Sequence, residues 1–546
     1  MSGRRNDRDV NGRSRGRFRR FGPPVLLVLV YVALNTALTA YRWYPEHSFL
    51  HLLAPSLELA ALWVVLLLLT RLDAAPRRIV LVLLAPLLTG LFLFSIGEAF
   101  TQFNFQNHFV PWTDLGYVPA LVSMVFHSSG LARASVLVPL GVVLGLGLCA
   151  LFYLILDAAR ARMAGAGAAV LLPLLIYLPL GAAVGYGPVL TQLVAAQLRP
   201  PDTPEMETPP AAAAVSENAL HSDDTFPRLR DRSVFLIIVE SYGHTLFSHP
   251  EHSDAMDGCY PEIERELRGA GYRMASHFLE SPITGGRSWL AEATLLSGIR
   301  VGSQSAYDSI IESAPRNLTH DFFHAEHRSI LAAPGTTTTD EQWKKFNRFD
   351  EYLVQSDFGY RGPHFAFGAM PDQFLLNYIR KNVLAGRSGN PHTGAPLFMQ
   401  IMLVSSHTPF NMVPKYFEDW DAIGDGSEYR AAENPTFHNN WLTGGEYPEG
   451  FTASIRYVLR VVADFLIRTI SDDSLIVIVG DHQPRFPVRE KDSSSSVPIH
   501  ILSRDETLVE PFMRYGFQPT LEPSQSLPHP GMEEFYPMFL RVIKGG

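Results

Sequence analysis

Four short stretches in the second half of the chain carry side chains that could do chemistry together. The apolar run VFLIIV ends without a gap in Glu240 and Ser241. A second run, LIVIVG, ends in Asp481 and His482, and a third, LFMQIMLV, leads into SSHTPF and brings His407. Two carboxylates and an imidazole are the oxygen and nitrogen donors that Zn2+ and Mn2+ accept. The fourth stretch, TGGRSWLAEATLLSG (284–298), places Ser288 behind Gly285, Gly286 and Arg287 and ahead of a helical pattern. A glycine turn entering a helix can mount a nucleophile or bind an anion, and it can equally be a plain turn. A cation beside a hydroxyl lowers the hydroxyl's pKa and neutralises phosphate oxygens during attack. The two glycines let the Ser288 backbone come close to such a ligand. Arg287 has the chemistry to contact a phosphate, although an arginine beside a turn is most often solvated.

These stretches can meet only if one sheet carries them. Continuous apolar runs bounded by polar residues, at 234–240, 329–335, 397–407, 475–482 and 497–503, read as buried strands. Helical patterns at 260–271 and 451–470 separate them. The alternation predicts an α/β domain over 231–546 with a mostly parallel central sheet, and sites in such sheets collect at the carboxyl ends of the strands. Residues 310–395 are expected to build the substrate pocket.

The first half has a different composition. A chain of 546 residues holds more than one folding unit. Residues 1–23 form a basic N-terminus, with eight arginines among the first 20 positions. The segment 24–195 holds apolar runs at about 24–40, 50–70, 79–97, 136–156 and 168–189, each near the ~20 residues that span a bilayer. Five transmembrane helices are therefore expected. Arg71, Arg77 and Arg78 follow the second run, and Arg160 and Arg162 follow the fourth. This places the N-terminus in the cytoplasm and everything beyond 195 outside the membrane. Glu58 lies inside the second run and is read as an interfacial carboxylate satisfied by a neighbouring helix or water. The aromatic loop 104–126 reads as an interfacial segment, and the Pro-rich stretch 196–230 as an extended linker. A net charge of −9, with no basic stripe beyond the N-terminus, argues against nucleic acid as a partner. Two cysteines, Cys149 and Cys259, exclude a disulfide framework and argue against a thiolate metal site.

The ordered set VESYG, GGRS, SSHTPF and GDHQP resembles the sulfatase-like branch of the alkaline phosphatase superfamily. It looks most like the membrane-anchored lipoteichoic acid synthase and phosphoglycerol transferase group. The resemblance implies a bacterial membrane enzyme with an extracytoplasmic catalytic domain and one divalent ion, Mn2+ or Zn2+. Its ligands fall on Glu240, Asp481, His482 and the nucleophile. Ser288 matches the nucleophile position and stands ten residues before Gly298 of LLSG; Thr284, in the same turn, is the alternative nucleophile. His407 matches the histidine that contacts the phosphate or the leaving group, with Arg287 and Trp343 as further substrate contacts. The implied reaction moves a substituted phosphate, phosphoglycerol first among the choices, from a membrane phospholipid to an envelope glycan or glycolipid through a covalent serine. A phosphodiesterase, a phosphatase and a phosphoethanolamine transferase are alternatives within the superfamily. A sulfatase is disfavoured, because Ser288 stands where those enzymes have cysteine and Glu292 where they have arginine. The CYPEIER segment (259–265) places its Arg265 two positions too late for that motif. A non-catalytic membrane scaffold or sensor ranks last, since no ligand of the set is missing.

Overall fold

In a computed structural model, the described residues are 10–39, 56–105, 109, 131–175 and 226–545. Short stretches at 165, 338, 340, 366–369, 386–394, 439–444, 471–472, 486–487 and 490–492 are left out of the description. The chain divides into two compact units, Met1–Pro200 and Pro201–Gly546.

The first unit is helical. Its main elements are α1 (Val10–Thr39), α2 (Leu57–Leu69), α3 (Ala74–Phe105) and α4 (Leu131–Met163). Leu27, Tyr31, Leu34, Leu59, Trp63 and Leu88 are buried where these helices pack. Tyr31 and Trp63 meet edge to face at 5.2 Å, and the Trp63 indole donates to the Val170 carbonyl. Other apolar side chains point outward, Leu83, Leu93, Leu146 and Leu154 among them, as expected of helices solvated by lipid. Among the described residues two helices, not five, are long and apolar enough to cross a membrane: Ala74–Thr101 and Pro139–Met163. They contain the runs expected at 79–97 and 136–156. The run at 24–40 lies in α1, which is 30 residues long, and the run at 50–70 in α2, of 13 residues. Most of 168–189, of the 104–126 loop and of the 196–230 linker lies outside the described residues. Glu58 sits in the first turn of α2 and accepts a hydrogen bond from the Ser56 hydroxyl. Glu98, in α3, is buried and accepts from the Phe109 amide at 2.7 Å.

The second unit is built on seven strands: β1 (Val234–Val239), β2 (Arg273–Glu280), β3 (Arg328–Ala333), β4 (Glu351–Val354), β5 (Leu397–Leu403), β6 (Leu475–Gly480) and β7 (Ser496–Ser503). Their order is β2-β7-β6-β1-β5-β3-β4. β1 alternates strictly, with Phe235, Ile237 and Val239 in one core and Val234, Leu236 and Ile238 in the other. This is the period-2 signature of a strand buried on both faces. Helices α5 (Cys259–Gly269) and α8 (Tyr447–Thr469) cover the first face; α6 (Ser288–Ser297) and α9 (Phe535–Lys544) cover the second. Helix α7 (Asp372–Tyr378) packs in the first core beside α8.

The expectation of a mostly parallel sheet needs correction, because the sheet is mixed. β6, β1, β5, β3 and β4 pair in parallel, but β7 runs antiparallel to both β6 and β2. The reason lies in the connection. Among the described residues between β6 and β7 there is no crossover helix, and a loop of this kind returns the chain in the opposite sense. β2 and β4 were not among the expected strands.

Candidate metal and nucleophile centre

β1 and β6 are adjacent and in register, with Val239 beside Gly480. The residues that follow them, Glu240 and Asp481, therefore leave the sheet side by side at its carboxyl edge. Close backbone approach makes this possible. A Cβ on Gly480 would lie 1.9 Å from the Tyr242 carbonyl oxygen, and one on Gly243 would lie 2.2 Å from Gln483 Oε1. Ser241 takes a left-handed φ of 58°, and its amide donates to Asp481 Oδ1 at 2.8 Å.

Glu240, Asp481 and His482 each turn a ligand atom inward, and these atoms all lie within 4.8 Å of one another. All three residues are buried. His482 Nδ1 donates to the Gln483 carbonyl at 2.7 Å, which fixes the ring and leaves Nε2 facing the carboxylates. Nε2 stands 3.2 Å from Glu240 Oε1 and 3.6 Å from Asp481 Oδ2. Two carboxylates and one oriented imidazole nitrogen fit a divalent ion of the Zn2+ or Mn2+ type.

The electrostatics agree. Burial pushes the Glu240 carboxyl up, but the neighbouring imidazoles of His407 and His482 outweigh it and hold Glu240 well below the usual carboxylate range. Burial and the Glu240 charge push Asp481 up to about 7. Burial lowers His482, yet Asp481 and Glu240 raise it to about 9.

The hydroxyl comes from the other face. The 281–285 segment is pinned to the β6 loop: Ser281 Oγ donates to the Asp481 carbonyl, and the Gly285 amide to the Gln483 carbonyl. Gly285, Gly286 and Arg287 all take positive φ, of 75°, 142° and 66°. This turn aims the start of α6 at the sheet edge. Ser288 Oγ donates to Glu240 Oε2 at 3.0 Å and stands 3.3 Å from His482 Nε2. It also opens a ten-residue helix, whose N-terminal partial charge favours an anion there.

His407 follows β5. The Ser406 hydroxyl donates to the Glu240 carbonyl, so the SSH loop is tied to the β1 loop. His407 Nδ1 donates to the Thr408 carbonyl at 2.7 Å, which fixes the ring. Thr284 bridges the Gln483 backbone rather than joining the three ligand residues. Arg287 is the residue immediately before α6. Trp343 meets the Tyr352 ring of β4 at 5.8 Å.

Two supporting residues escape a reading of motifs. Asp372, at the start of α7, is fully buried and accepts from the Val404 and Ser405 amides, while Ser405 Oγ accepts from the Asp372 amide. It anchors the loop that carries His407. Gln483 accepts from the Thr245 amide and donates to the Ser494 carbonyl, linking the loops after β1 and β6. Gln483 is visible as the residue after GDH. Asp372 has no comparable signal beyond its place after a proline.

No family profile matches the chain, and no curated protein does. Among solved structures it is similar to the lipoteichoic acid synthase LtaP from Listeria monocytogenes, at 13% identity and a TM-score of 0.39 over 59% of this chain and 74% of that one. It is also similar to the Streptococcus pyogenes phosphoglycerol transferase GacH, solved with sn-glycerol-1-phosphate (14% identity, TM-score 0.37, 58% and 79%). A third likeness is to the C-terminal periplasmic domain of EcEptC from Escherichia coli (14% identity, TM-score 0.33, 50% and 72%). Neither the identities nor the TM-scores are high enough to carry a substrate or an activity over to this chain.

Proposed function

We propose that the protein is a membrane-anchored phosphotransferase that moves phosphoglycerol from a phospholipid to a glycan or glycolipid through a glycerophosphoryl ester on Ser288. In this reading residues 1–195 hold the chain in a bacterial inner membrane, and the unit from 231 onward works outside the cytoplasm. The observation that carries the reading is the double contact of Ser288 Oγ with Glu240 and His482 at the N-terminus of α6. A core serine has no use for such company.

Glu240, Asp481, His482 and Ser288 would hold one divalent ion, Mn2+ or Zn2+, which supplies charge neutralisation at the phosphate oxygens and a lower hydroxyl pKa. Ser288 Oγ, oriented by its hydrogen bond to Glu240 Oε2, gives up its proton to solvent and attacks phosphorus. The bond from phosphorus to the diacylglycerol oxygen breaks, and His407 Nε2 delivers a proton to that leaving oxygen. In the second half His407 takes the proton of the acceptor hydroxyl, which attacks phosphorus; the bond from phosphorus to Ser288 Oγ breaks, and Ser288 takes a proton back from solvent. General acid–base help of this kind is worth roughly 10²–10⁴-fold. Arg287, next to Ser288, contributes charge toward the phosphate.

The test uses full-length protein in detergent with Mn2+ or Zn2+ and head-group-labelled phosphatidylglycerol. Ser288→Ala abolishes diacylglycerol release while circular dichroism and membrane insertion are unchanged. Release that survives in Ser288→Ala but disappears in Thr284→Ala would move the nucleophile to Thr284. Label recovered only as free glycerol phosphate, with a glycan acceptor present, would make the protein a phosphodiesterase instead.

A further inference from the structure

One turn beyond Ser288 on the same face of α6 lies Glu292, buried at 7% exposure. Its partner is Gln400, fully buried in the middle of β5 and paired in register with Leu236 of β1, the strand that ends at Glu240. Gln400 Nε2 donates to Glu292 Oε1 at 2.6 Å. The other half of the amide, Gln400 Oε1, is buried with no hydrogen-bond partner. An ionised carboxylate here would rest on a single neutral donor and leave an acceptor stranded beside it, and both conditions are costly in a dry interior. A carboxylic acid removes both costs at once, because its O–H can donate to Gln400 Oε1 and close a two-bond acid–amide pair. Exchanging the amide oxygen and nitrogen leads to the same place. Two oxygens 2.6 Å apart need a proton between them, and the acid is the group that can supply it.

We infer that Glu292 is a neutral acid that clamps α6 to β5 through Gln400 and so holds Ser288 in line with Glu240 and His482. Burial, acting against the Gln400 bond, pushes the Glu292 carboxyl up to about 7, and no charged neighbour contributes. Neutrality matters for the chemistry as well as the geometry. A negative charge one helical turn from Ser288 would oppose the build-up of negative charge on its oxygen. Glu292 is thus a positioning residue, and its role in turnover rests on the reading of Ser288 given above.

The experiment compares full-length wild type, Glu292→Gln and Glu292→Leu in two measurements. In infrared difference spectra at about pH 6, well above the ordinary carboxylate range, wild type minus Glu292→Gln shows the C=O stretch of a protonated carboxyl. Absence of that band overturns the inference. In turnover of bis-p-nitrophenyl phosphate with Mn2+, Glu292→Gln, which can rebuild the two-bond pair, stays within about threefold of wild type. Glu292→Leu loses roughly tenfold or more in kcat with little change in KM. Equal kcat in Glu292→Leu and wild type overturns the clamp. A wild type that does not turn over the diester at all refutes the Ser288 reading, while the infrared band still decides the state of Glu292.

Discussion

Removing and restoring the metal at different pH values should expose the proton that His482 and Asp481 hold between them. In the metal-free centre His482 is raised to about 9 and Asp481 to about 7. Near pH 7 the imidazole is almost fully protonated and the carboxyl roughly half protonated, so a cation that takes both atoms must expel about 1.5 protons. The count rises toward two near pH 6 and falls toward one near pH 8. Apparent affinity then climbs with pH, by roughly 30-fold per pH unit around neutrality. The sign follows from the direction of the shifts: groups held protonated in the free state compete with the cation, and the competition weakens as pH rises. Titration calorimetry of chelator-treated protein with Mn2+, in buffers of different ionisation enthalpy, reads the proton count directly. Affinity that is flat between pH 6 and 8, with no proton released, would refute the assignment of Asp481 and His482 as partners in one site.

Other perturbations have equally definite outcomes. Asp372→Asn keeps one acceptor oxygen but turns the other, which faces the Ser405 amide, into a donor and should cost about 1–3 kcal/mol in denaturant unfolding. Its kcat should fall more than its Mn2+ affinity, because His407 rather than the ligand set is displaced. Gly480→Ala pushes a methyl group against the Tyr242 carbonyl oxygen; a loss of at least ~2 kcal/mol in denaturant unfolding and weakened metal binding are expected. Burial lowers His500 to about 3, against roughly 6.5 in the unfolded chain, so its neutral form contributes stability above pH 6.5 that is lost as pH falls toward 3. Complete burial sets the scale of that loss at roughly 5 kcal/mol, and a pH series of denaturant curves on His500→Gln should show a flatter acid limb than wild type.

What could be read from the residues alone follows physical lines. β1 and β6 declare themselves because each is an unbroken apolar run that stops at an acid, so strand and site share one signature. β2 does not, since RMASHFLE places Ser276 and His277 in the interior. Ser276 is buried only because His500 of β7 meets it at 2.7 Å, a partner 224 positions away. The four-residue edge strand β4 is too short to show a period. The reversed sense of β7 is likewise decided by a connection, not by any residue of the strand. Asp372 and Glu292 illustrate the same point within the site. Their meaning comes from Val404 and Gln400, 32 and 108 positions away, while Glu240, Ser288 and His482 stand in local patterns that already suggest reactivity. The membrane half was legible as apolar composition, but composition does not count spans: within the run at 50–70 the described residues place Leu57–Leu69 in α2, 13 residues against the ~20 of a full crossing.

The central claim is a covalent bond between Ser288 and phosphorus. Full-length protein incubated with labelled phosphatidylglycerol, without acceptor, and quenched in acid should yield one modified peptide by mass spectrometry. That peptide should contain Ser288 and carry the mass of a glycerol phosphate ester, and it should be absent from Ser288→Ala. An enzyme that releases diacylglycerol at full rate while no adduct appears on Ser288, or with the adduct on another residue, would contradict the account.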